Sequence, residues 1–288
     1  TSTAMGYETE ASGAYSTAMG SNTTASGLNS ISMGSYTTAS ENYSTAMGST
    51  TTASGDNSTA MGYGTTASGN TSTAMGLGAK AIGNFSTAMG YDTEASGQAS
   101  IAMGESTTAS GYNSTAMGDA TTASGGNSTA MGSNTKASGG NSTAMGYGTK
   151  ASGENSTAMG TQTIASAYSS TALGAATTAS GERSTAMGYN TTASDYSSTV
   201  IGQHNSSGST ATSATSFSTL APAFVIGNGV DASNKSDAFS VLFNGNTTIG
   251  GSLTLNGTEI TATGTELNYV DGVTSSIQTQ LDSKQIAI

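Results

Sequence analysis

Ser-Thr-Ala-Met-Gly returns along this chain every fourteen residues, and that beat limits the fold more than any other feature. The glycine that closes the motif stands at 6, 20, 34, 48, 62, 76, 90, 104, 118, 132, 146, 160, 174, 188 and 202, with no insertion or deletion. Met precedes each of these glycines except at Leu173 and Ile201. Seven residues out of phase runs a second strip, Thr-Thr-Ala-Ser-Gly, as at Thr23 to Gly27 and Thr65 to Gly69. Each repeat therefore holds two segments of about five residues joined by short turns, and one such unit in strict period predicts a solenoid.

Side chains alternate across a strand, so each strip sorts into two faces. In the first strip Ser16, Ala18 and Gly20 share one face, and Thr17 and Met19 the other. In the second, Thr23, Ala25 and Gly27 share a face, opposite Thr24 and Ser26. The two faces of very small residues are expected to press together inside a narrow coil. Substitutions then separate the outer faces. The Thr24 phase accepts Glu10, Lys80, Glu94, Lys136, Lys150 and Ile164, whereas the Thr17 phase accepts only Thr or Ile, as at Ile31 and Ile101. The Thr-x-Ser face reads as wet and the Thr-x-Met face as dry.

A coil packed with Ala, Ser and Gly has little apolar area to set against chain entropy. Stacked at about 4.8 Å, some fourteen coils give a rod of roughly 65–70 Å with an apolar stripe along it. That stripe is Met5, Met19, Met33, Met47, Met61, Met75, Met89, Met103, Met117, Met131, Met145, Met159, Leu173, Met187 and Ile201. Left open to water it would exceed ordinary surface patches, so copies of the chain are expected to share it. The period leaves two or three copies equally open. The solvent-facing ladder is Thr24, Thr38, Thr52, Thr66, Lys80, Glu94, Thr108, Thr122, Lys136 and Lys150.

The pattern Ser-x-Ala-Met-Gly-x-x-Thr-x-Ala-Ser-Gly-x-x, over about residues 1–202, resembles the head repeats of trimeric autotransporter adhesins, the YadA-like head. The resemblance implies one turn of a left-handed parallel β-roll per repeat and three rolls around an axis, a homotrimer. Met stands here where the family usually has Ile, and Thr where Val is common.

Turn chemistry fits a tight coil. Asn precedes the Ser of many repeats (Asn29, Asn57, Asn113, Asn127, Asn141, Asn155) and Gly recurs at 64, 78 and 148, all residues that tolerate positive φ. Tyr7, Tyr63, Tyr91, Tyr147 and Tyr189 recur at the first turn position. They read either as cover for the roll's edge or as an aromatic stripe for sugars or surfaces.

After Gly202 the beat stops. Residues 203–223 read as a Ser/Thr-rich neck, 224–262 as a β-rich stalk with tight turns at Asn244-Gly245 and Asn256-Gly257, and 263–288 as a helical, coiled-coil start. Asn234 to Val241 resembles a segment that follows such heads in bacterial and phage surface fibres, and Thr265 to Thr274 a motif of phage and viral tail-fibre proteins. In those fibres a self-cleaving chaperone domain often follows; none is present in this sequence. Ser275 and Gln278 match a capping box, and Ile277, Leu281 and Ile288 share a helical face that Lys284 interrupts. The sequence opens at Thr1 in mid-repeat, without initiator Met or signal peptide, as expected of a piece of a longer chain.

Composition narrows function. The 6 basic and 17 acidic residues leave a formal charge of −11, unsuited to a phosphate backbone, so no nucleic-acid partner is expected. No apolar run approaches the ~20 residues of a membrane span. With no Cys and one histidine, His204, triads and zinc sites lack their parts, and an enzyme is not expected. No cofactor is expected either. Two ion-binding ideas remain: His204 near a shared axis, and Asp231, Asn234 and Asp237 in a calcium loop that lacks EF-hand spacing. The reading is an extracellular fibre or adhesin, at a cell or virion surface, whose partners are itself and an unknown receptor or glycan. Alternatives are an end-to-end polymerising filament and an ice-binding solenoid, the latter because Thr24, Thr38, Thr52 and Thr66 lie in register.

Overall fold

The computed structural model describes residues 1–269 and 276–285. It divides into two compact units, Thr1–Thr248 and Ile249–Ile288.

The first unit is a parallel β-solenoid whose coils are fourteen residues long. Each coil contributes a long strand such as Thr17–Ser21 and a short one such as Thr24–Ala25. Strands of successive coils pair in parallel and in register, Thr17 with Ile31, Met19 with Met33 and Gly20 with Gly34. Among the described residues the short strands form a fourteen-stranded sheet and the long strands lie in an eighteen-stranded one. The strips are thus unequal: the long strand begins one residue after Ser16 and runs past Gly20, while Ser26 and Gly27 have already left the sheet for the turn.

The interior matches the small-residue reading. Ala18, Ala25, Ser16 and Thr23 are buried, and the same four phases are buried coil after coil. Most cross-sections are filled by two alanines, a serine and a threonine, with Ser32, Ala79 and Val200 as the exceptions, so the two sheets approach closely with no large side chain between them. Some serines fold their hydroxyl onto the preceding turn, as Ser16 donates to the Gly13 carbonyl at 2.7 Å and Ser114 to that of Gly111 at 2.7 Å. The column of Thr121, Thr135 and Thr149 is different: these buried hydroxyl oxygens have no hydrogen-bond partner.

Gly20 departs from simple alternation. It has φ +128, and a Cβ built on it would lie 2.0 Å from the carbonyl oxygen of Gly34 in the next coil. The vacant position points along the rod, not into the core. Glycine is required there twice over, for its dihedral and for the backbone it admits.

Two residues per coil take the left-handed conformation, seven apart, as at Asn22 (φ 54) and Asn29 (φ 54). Asn57, Asn113, Asn127, Asn141 and Asn155 all occupy such corners, as do Gly64, Gly78 and Gly148. The turn amides bond across coils, Asn22 N to the Tyr7 carbonyl and Asn29 N to that of Ala14, both at 2.9 Å. Each corner is therefore part of the stacking ladder as well as a change of direction.

The parallel ladder outlasts the fourteen-residue beat. Strand Pro222–Asn228 pairs with Thr199–Gln203 in register, setting Thr199 against Phe224, Val200 against Val225, Ile201 against Ile226 and Gly202 against Gly227. Between these two paired strands the connection, residues 204–221, carries eleven residues more than the fourteen-residue period requires. Strand Asp237–Leu242 then returns antiparallel along Pro222–Asn228.

In the second unit Leu253–Leu255 and Thr258–Ile260 form a hairpin. Its corner is Asn256-Gly257 with φ 49 and 78, the left-handed pair of a type I′ turn. Helix α1, Gly264–Asn268, carries a capping box of Thr263 and Glu266. The Glu266 carboxyl is held below its ordinary value, first by the Thr263 backbone N–H and then by its hydroxyl. In α2, Ile277–Gln285, the Ser276 hydroxyl accepts from Thr279 N at 3.3 Å, and Ile277 and Leu281, one turn apart, are exposed. Ser275, Ile288 and residues 270–274 of the fibre-like motif lie outside the described residues.

Candidate interaction surfaces

A coil of this kind presents two broad faces and two edges. The outer face of the long strands carries the Thr17 and Met19 columns. Met5 and Met187 are exposed, while Met19, Met33, Met47, Met61, Met75, Met89, Met103, Met117, Met131, Met145, Met159, Leu173 and Ile201 are half-buried. Their in-register neighbours cover their flanks, and their outer surfaces remain open. No charged residue interrupts the column. Past Ile201 it continues in register through Ile226, which pairs in turn with Phe239.

The outer face of the short strands holds the second ladder. Thr24, Thr38, Thr52, Thr66, Glu94, Thr108 and Thr122 are half-buried, and Lys80, Lys136 and Lys150 are exposed. Lys80 is in register with Glu94, whereas Lys136 stands beside Lys150. The hydroxyl ladder is thus cut by charge at two levels of the rod.

Tyr7, Tyr63, Tyr91, Tyr147 and Tyr189 each close a long strand instead of opening a turn, and all are exposed. Their column is mixed: Leu77 lies in register between Tyr63 and Tyr91, and Glu105 and Asp119 follow. At the opposite edge asparagine side chains bond from coil to coil, with Asn113 Nδ2 donating to Asn127 Oδ1 at 3.2 Å and Asn127 Nδ2 to Asn141 Oδ1 at 3.1 Å.

The C-terminal end of the short-strand sheet is closed by side chains, a feature without a clear signal in the sequence. The buried Asn205 accepts from Thr192 N at 2.8 Å and donates to Thr192 O at 2.9 Å, taking both bonds that a further strand would make. Asp195, in a phase where most coils have glycine, accepts from Thr212 N at 2.5 Å and Ser213 N at 2.6 Å through Oδ1. Asp237 accepts from Ser206 N and Ser207 N, both at 2.8 Å. Two carboxylates thereby pin the inserted loop over the sheet edge, the protection an exposed edge strand needs.

Of the residues considered for ions, only Asp237 takes part in this closure. Asp231 turns on itself, accepting from Ser233 N and Asn234 N at 2.8 Å. Its carboxyl is held below the ordinary range, first by the Asn234 side chain and then by these amides. Asp237 faces residues 206 and 207 instead, so the two carboxylates do not converge on the same partners. His204 is only 5% exposed, takes a left-handed corner (φ 44) and sets its ring edge-on to Tyr189 at 5.3 Å between centroids. It is placed as a packed corner residue.

Among the described residues no helix is long and apolar enough to cross a membrane. The family model described as YadA head domain repeat (2 copies) matches residues 1–23, 25–51, 39–65, 53–79, 67–93, 95–121, 123–149, 151–177 and 179–205. No curated protein matches the chain.

Proposed function

The chain belongs to the YadA head-repeat family and is an adhesin-type β-solenoid repeat protein, and on that premise we propose that it forms the stiff homotrimeric part of an adhesive fibre at a cell surface. The methionine column carries this reading. It has fifteen apolar positions in register, half-buried or exposed in the single chain, and no charge along its length. Completing the burial of a Met, Leu or Ile side chain that is already half covered contributes on the order of 1 kcal/mol, so a shared face contributes on the order of 10 kcal/mol per chain. The number three comes from the family. Met suits the role because its flexible thioether fills irregular space where copies meet.

No catalytic activity is part of this proposal. The chain has no cysteine, and its one imidazole is packed at a corner beneath Tyr189. Attachment would come from many weak contacts repeated along the rod and across its copies.

The test is solution mass by light scattering coupled to size exclusion, on the wild type and on Met117→Glu. A mass near three times 28.0 kDa for the wild type, lost in the variant, is the expected result. A well-folded wild-type monomer would refute the shared face and, with it, the trimeric fibre.

A further inference from the structure

We propose that Tyr63, Leu77 and Tyr91 form a platform for an extended, neutral β-1,4-linked glycan lying along the rod axis. The inference rests on the adhesive reading above and names its ligand class.

The column to which these residues belong is a wet one. Tyr91 is in register with Glu105, and Glu105 with Asp119. An interface that buries the methionines cannot also bury two adjacent carboxylates, so this edge stays in water in the assembled fibre. Yet three successive coils place Tyr63, Leu77 and Tyr91 there, 60%, 43% and 52% exposed. Exposed apolar side chains are ordinary when scattered, as Tyr7 and Tyr147 are in this column; a contiguous run of three calls for a partner.

The backbone beside the run is bare. Gly64 and Gly78 follow Tyr63 and Leu77 at the left-handed corner, and a Cβ at Gly64 would meet nothing within 4 Å. At Gly78 the contacts are Asp92 atoms, including Oδ1 at 3.9 Å. A shelf without side chains thus runs beside the apolar run and ends at a carboxylate that can accept hydroxyl hydrogens. Aromatic surface bordered by a few polar acceptors is the common composition of a small-ligand site.

Geometry and charge choose the ligand. The two tyrosines are two coils apart, about 9.6 Å at sheet spacing. That span approximates one disaccharide unit of an extended β-linked chain, whose sugars turn alternate faces. Asp92, Glu105 and the net charge of −11 disfavour an anionic polymer. A neutral glycan meets neither objection.

The experiment titrates the full chain with cellohexaose, chitohexaose and cellobiose by calorimetry, with the mass measured on the same sample. At least one hexasaccharide should bind with a dissociation constant below about 1 mM, and which one does so distinguishes glucan from chitin-type sources. Tyr63→Ala and Tyr91→Ala should each weaken it at least tenfold, Tyr63→Trp should retain it, and Tyr147→Ala, an isolated ring of the same column, should leave it unchanged. Absence of binding by both hexasaccharides, equal loss in Tyr147→Ala, or binding of cellobiose as tight as that of the hexasaccharide would each overturn the proposal. A trimer that fails to bind sinks the platform and leaves the fibre standing; a monomer that binds does the reverse.

Discussion

Three glycine-to-alanine variants separate the two reasons for glycine in this roll. Gly62 has φ +123, and its Cβ would lie 2.0 Å from the Gly76 carbonyl oxygen and 3.0 Å from its carbon. Relieving that contact to an ordinary ~3.4 Å moves adjoining coils apart by more than 1 Å, which breaks several ladder bonds at about 1 kcal/mol each. The dihedral adds about 1–2 kcal/mol for any residue with a Cβ. Gly62→Ala should therefore cost about 4–6 kcal/mol. Gly64→Ala isolates the dihedral, since φ is +63 and nothing lies within 4 Å. Ala120 and Ala176 already occupy the equivalent corner with φ 50 and 53, so about 1 kcal/mol is expected there. Gly126→Ala has open space and no left-handed dihedral, and should be neutral or stabilising by up to about 1 kcal/mol through the unfolded chain. Guanidinium unfolding followed by far-ultraviolet circular dichroism, at one fixed protein concentration, gives all three values. If Gly62→Ala falls within about 1 kcal/mol of Gly126→Ala, the close axial stacking of glycines is not what holds the coils in register.

Thr121→Val removes a buried hydroxyl that has no partner; stability should be unchanged or rise by about 1 kcal/mol, read as the unfolding midpoint, and a loss above that would reveal a bond from this hydroxyl. Asn205→Leu deletes both bonds to Thr192, so a cost of about 2–3 kcal/mol is expected, with faster amide exchange confined to the last coils. On acidification, Asp231 and Glu266, whose folded pKa values are depressed, contribute stability that is present above pH ~4 and lost as pH falls through the folded values. The protection of the Ser233, Asn234 and Glu266 amides, each exchange rate taken relative to its intrinsic value at the same pH, should therefore fall only below about pH 4; a fall already at pH 6 would refute the assignment.

Much of the roll is legible in the sequence because one rule is repeated. Small residues at alternate positions face inward, Asn and Gly mark the left-handed corners, and Asn256-Gly257 marks a hairpin. Strand limits are less legible, since alternation looks the same on either side of Ser16 and Ser26. The axial approach of Gly20 is invisible to a two-face reading, which has no third direction. The added coil hides behind an insertion: Gly202 to Gly227 is 25 residues, fourteen plus eleven. Its signal is Phe224-Val225-Ile226-Gly227, which repeats Thr199-Val200-Ile201-Gly202 with one change. Of the closure, Asp195 in a glycine phase is a readable hint. Asn205 is not, because asparagine among serines has many ordinary uses.

In the proposed trimer the inserted loop and the strand after it would also solve an alignment problem. A face that repeats every coil looks the same to a partner slid by one coil, like a ruler whose marks carry no numerals. Copies joined only through such columns would settle at several staggers of nearly equal energy, differing by one overhanging coil among fourteen or so. Phe224 in place of Thr, the returning strand Asp237–Leu242 and the pinned loop occur once among the described residues. In the proposed trimer they would be the numeral on the ruler, making the flush arrangement the one in which unlike parts all meet their counterparts.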